Sequence, residues 1–383
     1  MYKTLCAGVV LIVVASAVPL AAAAETSSTA TGISRLMNPA VSLNALFLGE
    51  TSADVGEAEA NRIAIQEIEM QLTSVVDPFW TADLVVAWHE EEAHGEEDHE
   101  EEAEEAHGTA HFVSDIEIAT LRSTAMPAGL GLTLGKFYLP FGKHATLHTH
   151  QFPFVRAPIA VQSFLGDHGL TDVGAALDAT VPLPWWSEIT VYGVDGRAEI
   201  FNGAHRDLAF GGRWSHLWDV SENATLEFGS SYLTGPDADG SGHDRLGMAG
   251  FDLTFKWSSG ERSHGPEAVV SGEVILPDYD HGEGEPYGYF FHARGRMSRN
   301  WWLGFGTGYA EDAEVVVSEI GPPYFRRMPD YKEYKANVVF APSEFSALRA
   351  EVSYLDCGCQ DMDDLRVSLQ WNFTIGSHPA HMY

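Results

Sequence analysis

Trp80, Ala82, Leu84, Val86 and Trp88 lie two residues apart. The same spacing returns in Leu130, Leu132 and Leu134, in Leu226 and Phe228 with Tyr232, and in Val367, Leu369, Trp371 and Phe373. A period of two puts each set on one face of an extended strand and the residues between, such as Asp83, on the other. Each run is about ten residues long, the length a tilted strand needs to cross a bilayer. After the N-terminal segment there is no unbroken apolar stretch of about eighteen residues, which argues against a membrane-spanning helix. Ten Trp and 37 Gly suit an all-β chain, and three Cys are too few for a disulfide framework.

Sixteen such segments fit between 40 and 375, including a doubtful first one at 40–48 and two at 301–311 and 331–340. Their connections alternate in length. Val181-Pro182-Leu183-Pro184-Trp185, Arg299-Asn300 and Ala341-Pro342-Ser343 are short, whereas 49–60, 89–110, 140–170 and 312–330 are long. Short turns at one end and long loops at the other mark an outer-membrane barrel, the short side being periplasmic. Starting at Asn61 would leave fifteen strands and one terminus on the wrong side, so 40–48 counts as a strand. The turn at 258–265 departs from the pattern, being no shorter than the loop at 357–363. A two-sheet sandwich also alternates, but it would not need this asymmetry, and closure removes the edges that a membrane forbids. The fold class predicted for 39–375 is therefore a single transmembrane antiparallel β-barrel of about 16 strands. Val367, Leu369, Trp371 and Phe373 of its last strand would face lipid.

Lys3, the apolar run Leu5 to Leu20 and the small residues Ala21 to Ala24 have the layout of a cleavable signal peptide over 1–24. Cys6 precedes the apolar run, so it is not placed for lipidation. Residues 25–38 would be a periplasmic N-terminal segment and 376–383, with His378 and His381, a periplasmic tail. A net charge of −33 argues against nucleic acid and for cations as partners.

Several stretches resemble one bacterial family: Asn38-Pro39-Ala40-Val41-Ser42-Leu43-Asn44, the block Gly135 to Lys143, its continuation His144 to Phe154, Phe164-Leu165-Gly166-Asp167, and the ending Ile375 to His381. These resemble outer-membrane porin-like barrels that are often labelled zinc-regulated TonB-dependent outer-membrane receptors. The resemblance covers nearly the whole mature chain. It implies a porin-like barrel of the Gram-negative outer membrane with a link to zinc. A receptor of that kind with 22 strands and a plug domain would need a longer chain than this one.

The 140–170 connection does not read as a solvated loop. Phe141, Phe152, Phe154, Val155, Ile159, Val161, Phe164 and Leu165 need burial, and Pro140, Pro153 and Pro158 stiffen the path. It is expected to fold into the barrel and narrow the lumen, as the third loop does in general porins, which it resembles. Lys143, His144, His148, His150, Arg156, Asp167 and His168 are its candidate constriction residues. His144-x3-His148-x-His150 could gather three imidazoles for zinc, copper or nickel, or could hydrogen-bond in a wet lumen. Lys143 and Arg156 could instead form an anion-selective eyelet against Asp167.

Eleven carboxylates and five imidazoles occupy the 23 residues from His89 to His111. His89, His94, His99, His107 and His111 offer weak, exchangeable sites for a divalent metal, with zinc the first guess; the plain alternative is a solvated acidic loop. Cys357-Gly358-Cys359 could be a disulfide or a soft-metal pair. No Gly-x-Ser-x-Gly, His-Glu-x-x-His, haem or phosphate-loop motif is present, and no organic cofactor is implied. The function predicted is passive passage of small hydrophilic solutes or ions through an outer-membrane porin, non-enzymatic, in contact with lipid and, by resemblance, as a homotrimer. Its rivals are a barrel-anchored surface metal-sequestering or adhesion protein, and an anion-selective porin using Arg122, Lys136, Arg213, Arg294 and Arg296.

Overall fold

A computed structural model describes residues 39–52, 61–90, 112–166, 169–201, 207–236, 245–260, 265–278, 286–316, 324–358 and 363–376, with the side chains at 199 and 312–329 excepted. Its first eight strands are β1 (Ala40–Ser52), β2 (Asn61–Asp77), β3 (Trp80–Glu90), β4 (Phe112–Ser123), β5 (Leu130–Tyr138), β6 (Thr171–Thr180), β7 (Trp186–Val194) and β8 (Ala209–Ser221). The second eight are β9 (Ala224–Pro236), β10 (Arg245–Ser258), β11 (Glu267–Asp278), β12 (Gly288–Ser298), β13 (Trp301–Val316), β14 (Tyr324–Ser343), β15 (Ser346–Cys357) and β16 (Asp364–Gly376). They close in sequence order into one antiparallel barrel, β1 sealing against β16 from Ser42↔Gly376 to Ser52↔Arg366. No helix among the described residues is long and apolar enough to cross a membrane, a fact with no bearing on strands.

Ala40 and Gly376 lie at the end that carries the short turns, at 78–79, 222–223, 299–300 and 344–345 among others. The doubtful first strand is real, and the parity it was needed for holds. One long connection was overestimated. Strand covers 312–316 and 324–330 of the predicted loop 312–330, because β13 and β14 go on pairing to Val316↔Tyr324. A register shift between Glu311 and Ala313 breaks the period of two there, which hides the continuing ladder from a pattern reading. His89, placed in a loop by sequence, is in β3 opposite Val113.

Burial is inverted relative to a water-soluble sandwich. On β16, Leu369 and Trp371 are each 52% exposed on the outside, while Ser368 and Gln370 between them are 3% and 1% exposed on the inside. Phe251, Leu253, Phe255 and Trp257 of β10 face outward in the same way, and Asp252 and Thr254 inward. Apolar outside and polar inside is the arrangement a lipid-embedded barrel requires. Phe79, Trp185, Trp186, Trp257, Trp301 and Phe345 are exposed beside the short turns and form an aromatic girdle at that end.

Residues 139–170 between β5 and β6 fold inward. The segment holds a 3-10 turn (Thr149–Gln151) and a short helix α1 (Ile159–Leu165) that packs on β12 and β13. Phe141, Phe152, Val161, Phe164 and Leu165 are buried against inward residues such as Leu233, Met248, Ile275 and Phe290, and Phe154 is buried beside His292. This apolar contact, about 1.5–3 kcal/mol per fully buried large side chain, explains why the connection reads as core in the sequence.

Candidate functional site

Glycines in the wall make room for the loop's rings. A Cβ at Gly250 would stand 2.8 Å from Phe141, at Gly288 2.7 Å from Phe164, and at Gly306 2.9 Å from Phe154. Polar side chains of the wall then take up the loop's main chain, which has few partners of its own. Arg349 donates to the carbonyls of Phe152 at 2.9 Å and Phe154 at 2.8 Å, Lys335 to those of Arg156 at 3.2 Å and Ala157 at 3.0 Å, and Asn337 to that of Pro153 at 2.8 Å. Glu351 accepts from Val155 N at 3.0 Å and Glu333 from Ile159 N at 3.2 Å, so Glu333 caps α1 where Pro158 offers no side-chain acceptor.

The predicted cluster of three imidazoles is split between two walls, which corrects that expectation. Gly142, at φ 60° with its N–H donating to Ser231 Oγ at 3.0 Å, turns the chain toward β11. There Glu273 Oε2 accepts from Lys143 N at 3.2 Å and His144 N at 3.3 Å, and lies 3.1 Å from His144 Nδ1. His144 Nε2 is 3.0 Å from His292 Nε2. Burial, with the Lys143 charge beside it, lowers the His144 pKa to about 3, so the ring is neutral. A neutral ring satisfies both contacts when His144 Nδ1–H donates to Glu273 and His292 Nε2–H donates to His144.

Further along, the 3-10 turn carries His148 and His150 to β2 and β4, and the main-chain N–H of His148 donates to Gln151 Oε1 at 3.2 Å. Their rings stack 5.7 Å apart. His148 Nδ1 is 3.0 Å from Glu69 Oε2 and 2.9 Å from Glu117 Oε2, and His150 Nδ1 is 3.3 Å from Glu69 Oε2. Glu67 is also buried, its Oε2 accepting from Thr149 Oγ1 at 2.7 Å. Burial opposes a charge on His148, but its hydrogen bonds to Glu117 and Glu69 outweigh that and raise its pKa to about 10.

Two β-bulges present these carboxylates. Leu46 pairs with Glu67 and Phe47 with Ile65, which leaves Gln66 as an extra residue on β2. Val85 pairs with Ile118 and Val86 with Ile116, which leaves Glu117 as the extra residue on β4. Each bulge resets which side chains face inward while Ile63 and Ile116 stay outward. Glu67, Glu69 and Glu117 escaped the sequence reading. Their one signal was Glu67-x-Glu69 within an apolar strand and Glu117 between two isoleucines.

The other constriction candidates among the described residues, Lys143 and Arg156, are paired. Arg156 Nη1 and Nη2 each donate to Glu50 at 2.7 Å, and Lys143 is bound to Glu227. Arg213 pairs with Asp252 and Arg296 with Glu267, Arg122 and Lys136 lie beside Asp178 and Asp115, and Arg294 stacks over Trp302. Asp167, His168, His94, His99, His107 and His111 lie outside the described residues. Cys357 is buried and disulfide-bonded.

No family model matches the chain. An uncharacterized protein of Aquifex aeolicus (strain VF5) is 24% identical over 312 residues, covering 70% of this chain; the chain spans 64% of that relative's length. Among solved structures, Pseudomonas putida OprB matches with a TM-score of 0.58 at 10% identity, over 88% of this chain and 94% of its own. The anion-selective porin from Comamonas acidovorans gives 0.55 at 9% over 88% and 100%. The outer membrane channel DcaP of Acinetobacter baumannii gives 0.51 at 9% over 88% and 98%. Likeness at these identities is likeness of fold. It supports the porin-like half of the family expectation and not the TonB-dependent receptor label, and no plug domain stands among the described residues.

Proposed function

We propose that the protein is an outer-membrane porin-like channel through which small hydrophilic solutes or ions diffuse passively, with the long-loop end extracellular. The observation that carries this reading is the 139–170 segment, bound across a polar lumen inside a barrel whose outside is apolar. A barrel serving only as an anchor would not need the third loop of its long-loop end held against the wall by Arg349, Lys335, Asn337 and Glu351. The acidic, His-rich connection centred on 91–111 would gather divalent cations, zinc first, at the mouth. With a screening length of about 8 Å at physiological salt, its charge acts only locally. By likeness of fold the assembly would be a homotrimer.

Single-channel recording of the purified protein in planar bilayers tests the reading. Discrete conductance steps are expected, and a barrel that inserts without them would leave only the anchoring role. One observation bears on an anion-selective variant: Arg62, Arg156 and Arg366, their side chains 25–32% exposed, converge on Glu50, and Arg366 also pairs with Asp364. The sign of the zero-current potential under a salt gradient decides between cation and anion preference.

A further inference from the structure

Glu67, Glu69 and His150 bring ligand atoms within 4.8 Å of one another, and so do Glu69, Glu117 and His148. Both triads are buried, and Glu69 belongs to both. Ligand atoms at the corners of a tetrahedron with metal bonds of about 2.0–2.2 Å stand roughly 3.3–3.6 Å apart. The His150–Glu69 separation of 3.3 Å matches that edge, whereas the His148 separations of 3.0 and 2.9 Å from Glu69 and Glu117 are hydrogen-bond lengths that an ion would open by a few tenths of an ångström. A further sign points to a ligand. Glu67 is 3% exposed, its Oε2 is held by Thr149, and its Oε1 is buried with no hydrogen-bond partner.

We propose that these five residues bind a divalent transition-metal ion of the kind that accepts mixed imidazole and carboxylate ligands, with Glu69 as the shared ligand. The ion would tie the constriction loop, through His148 and His150, to β2 and β4. His144, on the opposite wall with Glu273 and His292, takes no part. The site is separate from the acidic 91–111 connection and binds whether or not the lumen conducts.

Protein in detergent, stripped with a chelator and titrated with Zn²⁺, tests the site by calorimetry and elemental analysis. Because the 91–111 connection would add weak sites of its own, the test is read in protein lacking 91–110, where saturable uptake of one ion per chain is expected with and without His144→Gln. Binding at least roughly tenfold weaker is expected in Glu69→Gln and His148→Gln, the loss that even an outer partner of a ligand causes. Unchanged binding in both variants, or binding that disappears only with the deletion, would overturn the proposal. Should either variant fail to fold, Co²⁺ added to the deletion protein gives a second readout. Strong visible absorption of a four- or five-coordinate ion supports the site, and a weak spectrum like that of the hydrated ion refutes it. A conducting channel without this binding, or binding without conductance, separates this proposal from the channel reading.

Discussion

Gly142 is the residue on which the loop's entry into the lumen turns. Its φ of 60° lies in the left-handed region, and a Cβ there would stand 1.6 Å from Glu273 Oε1. Gly142→Ala is expected to cost about 1–3 kcal/mol through strain and displacement of Glu273, read as a lower midpoint of thermal unfolding in detergent. His144 next to it is faced by Lys143, by Glu273 on β11, His292 and Arg294 on β12, Asp252 on β10 and Arg213 on β8. Its pKa of about 3 lies below the value of about 6.5 of an unfolded histidine. The unfolded chain therefore takes the proton first. The stability this residue contributes is complete above pH 6.5 and falls as the pH drops toward 3. The acid side of a stability–pH profile should be less steep in His144→Gln than in the wild type; parallel profiles would refute a neutral buried ring.

At the scale of elements, the bulges at Gln66 and Glu117 decide more than the strands that carry them. Deleting Gln66 would restore a regular β1–β2 ladder while leaving Asn61 to Ile65 in their present register and facing, with Arg62 still inward; what is lost is the hold of Gln66 on the carbonyl of Val155 and on Gln370. The deletion protein is therefore expected to assemble, seen as retention of the heat-modifiable folded band on gels, and loss of that band would contradict the bulge. The loop makes a second test. Arg349→Met leaves the carbonyls of Phe152 and Phe154 without their donor, at a cost of about 1–3 kcal/mol, and should raise and broaden the single-channel conductance as the constriction loosens. Alternation gave the strand count and the inward fold of 140–170, because burial is written in residue type. The bulges were not legible, since a single extra residue leaves no compositional trace and shows only in the pairing.

For the whole molecule, the apolar outer face is the surface that the proposed channel turns to lipid. Leu369→Arg, on the outer face of β16, should block assembly at a cost of about 2–4 kcal/mol. Ser368→Ala, one residue away and inward, loses only its hydrogen bond to Glu50 and should assemble normally. Equal behaviour of the two in a membrane-fractionation assay would contradict the orientation.

Within its strands, the sequence by itself determined closure, strand number and, away from the bulges, facing, because period-two alternation and turn length are local properties that a lipid-embedded barrel uses directly. It also offered side chains of the types that can ligate a metal, in His148 and His150 as well as in the acidic run to His111. Only the tertiary structure decided which histidines share a site and with what. His144 stands one short stretch from His148, yet a glycine turn and the docking of the loop carry it to β11 and β12. The carboxylates that meet His148 and His150 come from β2 and β4, and spacing along a chain does not encode which walls a loop will touch once it has crossed the lumen.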